Sequence, residues 1–247
     1  MFVDHFSEAA GSYRGFRPHY PPELFEHIAA HCAHHDAAWE CGAGSGQATL
    51  GLTQHFDTVF ATDASLAQLR GFTGTGVHRI ACLSERCPLP DHSVDLVAAA
   101  QCVHWFDLEA FFREVRRVAK PQSIVALWTY NFPTITPEID RFFLEFAEDV
   151  VGQYWAPQRT LVNEGYRTLP FPFTEIAPQC FEWRSTLTGP DILGLWDTWS
   201  AVRQARCELG YDPVQQFKDR WMLCWGGKDV ERTVTWPITL RLGQLYA

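Results

Sequence analysis

Residues 38–47 read Ala-Trp-Glu-Cys-Gly-Ala-Gly-Ser-Gly-Gln. A short apolar approach ends in an acid, Glu40. Gly42, Gly44 and Gly46 then alternate with Ala43 and Ser45, and an amphipathic run from Gln47 to Phe56 follows at once. The pattern predicts a strand, a glycine turn and a helix. Without a Cβ, alternating glycines let the backbone turn tightly and let a ligand come close to it. A second apolar strand, Thr58 to Thr62, leads into Asp63 and Ala64, seventeen residues after Gly46. An acid at that place suits the two hydroxyls of a ribose.

The spacing separates two kinds of nucleoside. A dinucleotide fingerprint has glycine at the first, third and sixth places, so that a helix N-terminus faces pyrophosphate. Here the sixth place is Gln47, and the motif runs Glu-x-Gly-x-Gly-x-Gly. An acid ahead of the first glycine sits badly beside pyrophosphate and well beside a cation or an ammonium group. The nucleoside is retained and the phosphate is not. That combination reads as S-adenosylmethionine rather than the nicotinamide cofactor of an oxidoreductase.

Outward from this stretch the chain alternates. Ser65 to Arg70 predicts a short helix, Val77 to Leu83 a strand, and Ser84 to Asp91 a loop stiffened by Pro88 and Pro90. Val94 to Ala100 is a run apolar but for Asp95, as in a strand buried on both faces. It delivers Gln101, His104 and Trp105 to its carboxyl end. Asp107 caps a helix carrying Leu108, Phe111, Phe112, Val115 and Val118, which Lys120-Pro121 closes, and Ile124 to Tyr130 is the next strand. Such alternation predicts an α/β fold: a Rossmann-like, doubly wound, mostly parallel sheet with helices on both faces. Ligands in these sheets bind outside the carboxyl ends of the strands, where Glu40, Asp63, Glu85, Gln101 and His104 all fall.

Beyond Asn131 the alternation stops. Pro137 to Tyr154 reads as helix, Tyr166 to Phe173 as a loop rich in proline and aromatics, and Cys180 to Leu187 as a strand. Gly189-Pro190-Asp191 opens a helix with Trp196, Trp199 and Val202 on one side. Pro213 to Trp225 is a further helix, and Thr233 to Leu242 a closing strand in which Pro237 marks an edge or a bulge. No repeat or linker divides the chain. One domain over 1–247 is expected, with cap insertions within 131–232. Residues 4–20 hold Phe6, Tyr13, Phe16 and Tyr20 with Arg14 and Arg17. They read either as a lid over residues 1–20 or as an edge-packed segment.

Composition limits the function. The 247 residues are 47% apolar and 20% charged, as in a globular chain, and a net charge of −9 argues against a nucleic-acid partner. The eight cysteines form no Cys-x-x-Cys pair, so no metal is expected. No stretch has the length of a membrane span, and the first residues lack the pattern of a signal peptide. Scattered cysteines then suit reduced thiols in a cytoplasm. A small-molecule acceptor and a monomer or homodimer complete the expectation.

These residues resemble the class I S-adenosylmethionine-dependent methyltransferases, in particular the small-molecule group around trans-aconitate methyltransferase. Glu-Cys-Gly-Ala-Gly-Ser-Gly-Gln is similar to that family's cofactor loop, and Ala-Thr-Asp-Ala-Ser with Gln68-Leu69 to its ribose-acid motif. Pro88-Leu89-Pro90-Asp91, Gln101 and His104-Trp105-Phe106 follow in the same order, as do Leu-Pro-Phe-Pro-Phe at 169–173, Thr198-Trp199-Ser200-Ala201 and Val234-Thr235-Trp236-Pro237. The resemblance implies a seven-stranded sheet with a C-terminal antiparallel strand. It also implies that Glu40 and the Gly42–Gly46 loop, with Ala43 and Gln47, hold the methionine moiety, the acid through hydrogen bonds that reach the ammonium. Asp63 and Ala64 would take the ribose, Ser84 and Glu85 border the adenine, and Gln101 lie near the transferring methyl, with Arg17 above the cofactor. Two departures stand out: Lys120-Pro121-Gln122-Ser123 lacks the usual glycines, and Ser84 replaces a commoner alanine.

Methyl transfer from a sulfonium needs positioning and dryness more than acid or base. A carboxylate acceptor needs no base. A phenol or amine would use one, and His104 is the placed candidate, its alternative being a histidine satisfied by its surroundings. Phe6, Tyr13, Trp105, Tyr154, Trp155 and Trp199 are candidates for the acceptor pocket, and Arg14, Arg17, Arg203 and Arg206 for its cation. A chain that binds S-adenosylmethionine without turnover would carry the same motifs.

Overall fold

The computed structural model describes residues 20–71 and 74–245. Its centre is a seven-stranded sheet in the order β3-β2-β1-β4-β5-β7-β6. The strands are β1 (Ala37–Cys41), β2 (Thr58–Asp63), β3 (Val77–Ala81), β4 (Val94–Ala100), β5 (Ala119–Tyr130), β6 (Thr174–Thr188) and β7 (Glu231–Gln244). The first five pair in parallel, while β7 runs antiparallel to both β5 and β6. This is the Rossmann-like, doubly wound architecture that the alternation predicts, with the antiparallel C-terminal strand that the resemblance implies.

β4 shows why the sheet is central. Six of its seven residues are buried. Leu96 and Ala98 join one apolar core, and Val97 and Ala99 join the other. Because side chains alternate along a strand, a run whose one polar residue, Asp95, is itself buried against Lys120 requires cover on both faces. Helix α1 (Pro22–Ala30) covers the first face with Leu24, Phe25 and Ile28. Helix α4 (Leu108–Val118), capped by the Asp107 side chain on Ala110 N–H, covers the second with Phe111, Phe112 and Val115.

Several elements depart from expectation, each for a physical reason. The helix after the glycine turn, α2, is only Thr49–Leu52, followed by turns. Gly51 sits under the Phe25 ring, where a Cβ would lie 2.1 Å from a ring carbon, so packing is served at the cost of helix propensity. Helix α3 (Leu66–Leu69) has Ser65 as its cap. Lys120-Pro121-Gln122-Ser123 is not a turn but the start of β5. Lys120 bridges Asp36 and Asp95, and Gln122 adopts φ +66° without a glycine while its N–H meets Leu245 O at 3.0 Å.

The long helix expected from Pro137 breaks into α5 (Pro137–Leu144), a π-turn (Glu145–Val150) and a 3₁₀ turn (Gly152–Tyr154). The wider turn places Phe146 and Ala147 together in the core. After the short α6 (Arg159–Asn163), the next helix is two: α7 (Gly189–Asp197), opened by a Thr188–Asp191 capping box, and α8 (Ser200–Leu209). Helix α9 (Pro213–Trp225) follows. Trp196, Trp221 and Trp225 are fully buried, and Trp196 stacks on Phe146 at 4.0 Å. Three of the chain's ten tryptophans thus build the cap's own core.

β7 is interior, yet Pro237 is tolerated. Thr235 exchanges both backbone hydrogen bonds with Thr134, so the nitrogen of Pro237, two residues on, faces the same side. There the β5 ladder has already ended at the Tyr130–Ile238 pair, and no donor is missed. The outer strand is β6, with Pro178 inside its register shift between Ile176 and Gln179. Among the described residues, no helix is long and apolar enough to cross a membrane, and no group of three or more His, Cys, Asp or Glu is gathered for a metal ion.

Candidate functional site

Two neighbouring features occupy the carboxyl edge of the sheet. The first is the glycine loop. Gly42, Gly44 and Gly46 have φ of +63°, +56° and +88°, in the left-handed region. A Cβ on Gly42 would lie 2.8 Å from Cys102 Sγ, so that glycine lets the loop touch the turn after β4. A Cβ on Gly44 would meet nothing among the described residues within 4 Å. Its side faces open space, and its φ is all that the fold itself asks of it. Asp63, at the end of β2, accepts from Gly44 N–H at 2.9 Å and from Ser65 N–H at 2.7 Å. One carboxylate thus pins loop to strand. Ala43 is buried, Ala64 half-buried, and Gln47 accepts from the Ser45 hydroxyl at 3.1 Å.

Glu40 lies beneath the loop rather than in the open space. It is 1% exposed and accepts from the Thr49 hydroxyl at the start of α2. Burial pushes its carboxyl up to about 8, with the nearby Asp63 adding to the rise. Any hold on a ligand ammonium therefore passes through the loop. Ser84 is buried, and Glu85 accepts from Asp107 N–H at 2.9 Å, tying the loop after β3 to α4. Burial raises the Cys41 and Cys102 thiols well above their ordinary range, so both stay protonated beside the loop.

The second feature is a cleft between the ends of β4 and β5 and the cap. Gln101, His104, Trp105, Phe132, Trp155, Arg159 and Trp199 are among its walls. Gln101 sits at φ +56°. Its side chain accepts from Tyr130 N–H at 3.0 Å and the Thr129 hydroxyl at 2.5 Å, and donates to Tyr130 O at 3.0 Å. It clamps β4 to β5, a task that its spacing after an apolar strand does not reveal. His104 Nδ1 lies 2.8 Å from the buried Tyr166 hydroxyl. Burial lowers its pKa to about 3, and the Arg159 guanidinium adds to the effect. At neutral pH the ring is uncharged and a weak base.

The expected aromatics divide. Trp105, Trp155 and Trp199 line the cleft, whereas Tyr154 packs against the cap's core. Phe6, Tyr13 and Arg17, with Arg14 and the rest of the expected lid through residue 19, lie outside the described residues. Arg206 is held by Asp197 and Asp212, and neither it nor Arg203 lines the cleft.

Comparison with known proteins decides the family. A model of the methyltransferase domain matches residues 39–127. A protein of Dictyostelium discoideum assigned as a methyltransferase is 32% identical over 204 residues, covering 81% of this chain and 78% of that one. The chain is a class I S-adenosylmethionine-dependent methyltransferase. A structure from Anaeromyxobacter dehalogenans, described as a type II methyltransferase, superposes with a TM-score of 0.86 at 38% identity over 94% of this chain and 99% of that one. An uncharacterized methyltransferase of Mycobacterium tuberculosis is 31% identical over 192 residues, covering 77% and 74%.

S-adenosylmethionine is the methyltransferase's cofactor, and the loop fits it. Open space before Gly44 and a carboxylate at the end of β2 are what a nucleoside without phosphate requires. The cleft also gathers residues that motif reading missed: Arg159, Phe132 and Asn131 on its walls, and Tyr166 behind His104. Arg159 follows Trp155 by four places, a spacing too common to stand out in sequence. The other three gain meaning only when the end of β5 meets the cap.

Proposed function

We propose that this methyltransferase transfers a methyl group to a carboxylate oxygen of a small molecule held in the cleft. The observation that carries the reading is the state of His104. Among the described residues the one imidazole on the cleft wall is neutral, its pKa is lowered to about 3, and Tyr166 engages it. A phenol or an amine asks for a base near neutrality, and a carboxylate asks for none. Bound S-adenosylmethionine supplies an electrophilic methyl carbon on a positively charged sulfur.

The remaining work belongs to the chain. In this reading Asp63 and the Gly42–Gly46 loop, with Ala43 and Gln47 in its run, hold the nucleoside and the methionine moiety. Ser84 and Glu85 border the base, and Glu40 braces the loop from below. Gln101 fixes the ends of β4 and β5 so that cleft and loop keep their separation. Trp105, Trp155 and Trp199 keep the cleft dry, which strengthens any charge interaction made inside it. A small molecule suits a cleft between sheet and cap, and the net charge of −9 disfavours nucleic acid as acceptor.

The test is a panel of small acids and phenols incubated with the enzyme and methyl-tritiated cofactor. Products that release volatile methanol in base are esters and support the proposal. Base-stable methyl ethers or amines overturn it in favour of His104 as base.

A further inference from the structure

The proton on the His104 ring is placed by a chain of contacts that begins at a peptide group. Gln101 meets both backbone groups of Tyr130: Oε1 accepts from Tyr130 N–H and Nε2 donates to Tyr130 O, each at 3.0 Å. A peptide N–H only donates and a peptide carbonyl only accepts, so this amide has one orientation. Oε1 therefore accepts from Thr129 too, and that 2.5 Å contact takes the single hydrogen of the Thr129 hydroxyl. Thr129 also hydrogen-bonds the Tyr166 hydroxyl. With its own hydrogen spent, Thr129 accepts there, and Tyr166 spends its hydrogen in turn. The Tyr166 oxygen then offers only lone pairs to His104 Nδ1, 2.8 Å away, so the hydrogen in that contact belongs to the imidazole. Thr129 is 1% and Tyr166 0% exposed, which shields both hydroxyls from bulk water.

A neutral imidazole carries one N–H. Its place on Nδ1 leaves Nε2 as a bare lone pair on the cleft wall, where the His104 and Trp105 ring centres lie 5.1 Å apart. Among the described residues none hydrogen-bonds Nε2. A pKa lowered to about 3 keeps that nitrogen unprotonated at neutral pH. Such a lone pair repels a carboxylate and takes an O–H or N–H, and a wall rich in rings makes it costly to cover without one. We propose that His104 Nε2 is a specificity-determining hydrogen-bond partner of the methyl acceptor, and that this molecule is an acid carrying a hydroxyl or N–H group apart from its carboxylate. The inference rests on the cleft being the acceptor site, as proposed above.

Two measurements test it. NMR of the full-length protein, isotope-labelled in its histidine nitrogens, should show His104 with a protonated Nδ1 and an unprotonated Nε2 at neutral pH, the signal being assigned by its loss in His104→Asn and His104→Gln. A hydrogen on Nε2 overturns the proposal. Calorimetry on the protein saturated with S-adenosylhomocysteine compares malate with succinate, mandelate with phenylacetate and para-hydroxybenzoate with benzoate. At least one hydroxy acid should bind roughly fivefold to tenfold more tightly than its parent, the range of one neutral hydrogen bond. His104→Asn, which still faces Tyr166 but has no atom at the place of Nε2, should erase that preference and leave the parent acids and S-adenosylhomocysteine unchanged. His104→Gln, whose amide reaches the place of Nε2, should keep part of it. If His104→Asn fails to fold, the wild-type tautomer and the wild-type preference decide. Hydroxy acids binding no better than their parents, or a preference surviving in His104→Asn, overturn the proposal. Binding that depends on the hydroxyl but yields base-stable ethers would leave the hydrogen bond standing and remove the proposed ester formation. Esters formed from hydroxy acids and parents with the same KM would do the reverse.

Discussion

The glycine loop and the cleft proposed for the acceptor are built in opposite ways. The glycine loop is short in sequence and held by backbone: Gly44 N–H and Ser65 N–H both reach Asp63, and the positive φ values are intrinsic to glycine. The cleft is long in sequence and held by side chains. Its walls come from as far apart as Gln101 and Trp236, and rings rather than amides close it. A local motif with a fixed backbone task tolerates little change. A wall assembled from distant rings can change its occupant and keep its fold. That contrast accounts for a family recognisable by its cofactor loop and silent about its acceptor.

The largest effect that would sharpen this comparison is expected at Gly44. Gly44→Val puts a side chain into the open space before the loop, and at φ +56° it adds roughly 1–2 kcal/mol of backbone strain. Calorimetry should show no binding of S-adenosylhomocysteine while circular dichroism stays native. Retained affinity would mean that the ligand lies elsewhere. Asp63→Ala should weaken S-adenosylmethionine binding by about 1–3 kcal/mol, through lost ligand bonds and a loosened Gly44. Equal affinity in the two proteins would remove β2 from the cofactor site.

The two sides should also differ in the sign of their pH response. Glu40 has a folded pKa of about 8 against an ordinary value of 4.5. The unfolded chain releases this proton first, so the contribution to stability is complete below about 4.5 and declines as pH rises to 8. His104 has a folded pKa of about 3 against 6.5, so its contribution is complete above 6.5 and declines as pH falls towards 3. Each slope is at most about 1.4 kcal/mol per pH unit. Thermal melts of Glu40→Gln and wild type should converge on acidification to pH 5 and diverge towards pH 8. If the melts differ by the same amount at both pH values, Glu40 is ionised in the folded state.

The smallest effect is expected at His104 itself. His104→Ala should change the rate by less than about tenfold, and wild-type rates should show no histidine inflection between pH 6 and 8. A loss of about 10²–10⁴, the range for a missing general base, would break the contrast by making the acceptor side chemically active.

The sequence alone determined the sheet and the cofactor. Runs apolar but for one residue, such as Val94–Ala100, require two covered faces, and an alternating strand–helix chain supplies them. The Glu40–Gly46 loop with Asp63 states a ligand class because backbone conformation and charge are local properties. The tertiary structure decided what locality cannot express. It made Gln101 a clamp on β5, since its partners at Thr129 and Tyr130 lie 28 and 29 residues away. It placed Glu40 under the loop, committed Arg206 to two acids, and brought Arg159 to the cleft between Phe132 and Trp155. Burial gave the same imidazole type two different settings: His104 against Tyr166 in the cleft, and His27 against His31 and Phe181 at the end of α1. The physical reason is common to all of these. A side chain's partners and its exposure to water are set by segments that meet only once the chain has folded, and those two quantities fix its charge and its role.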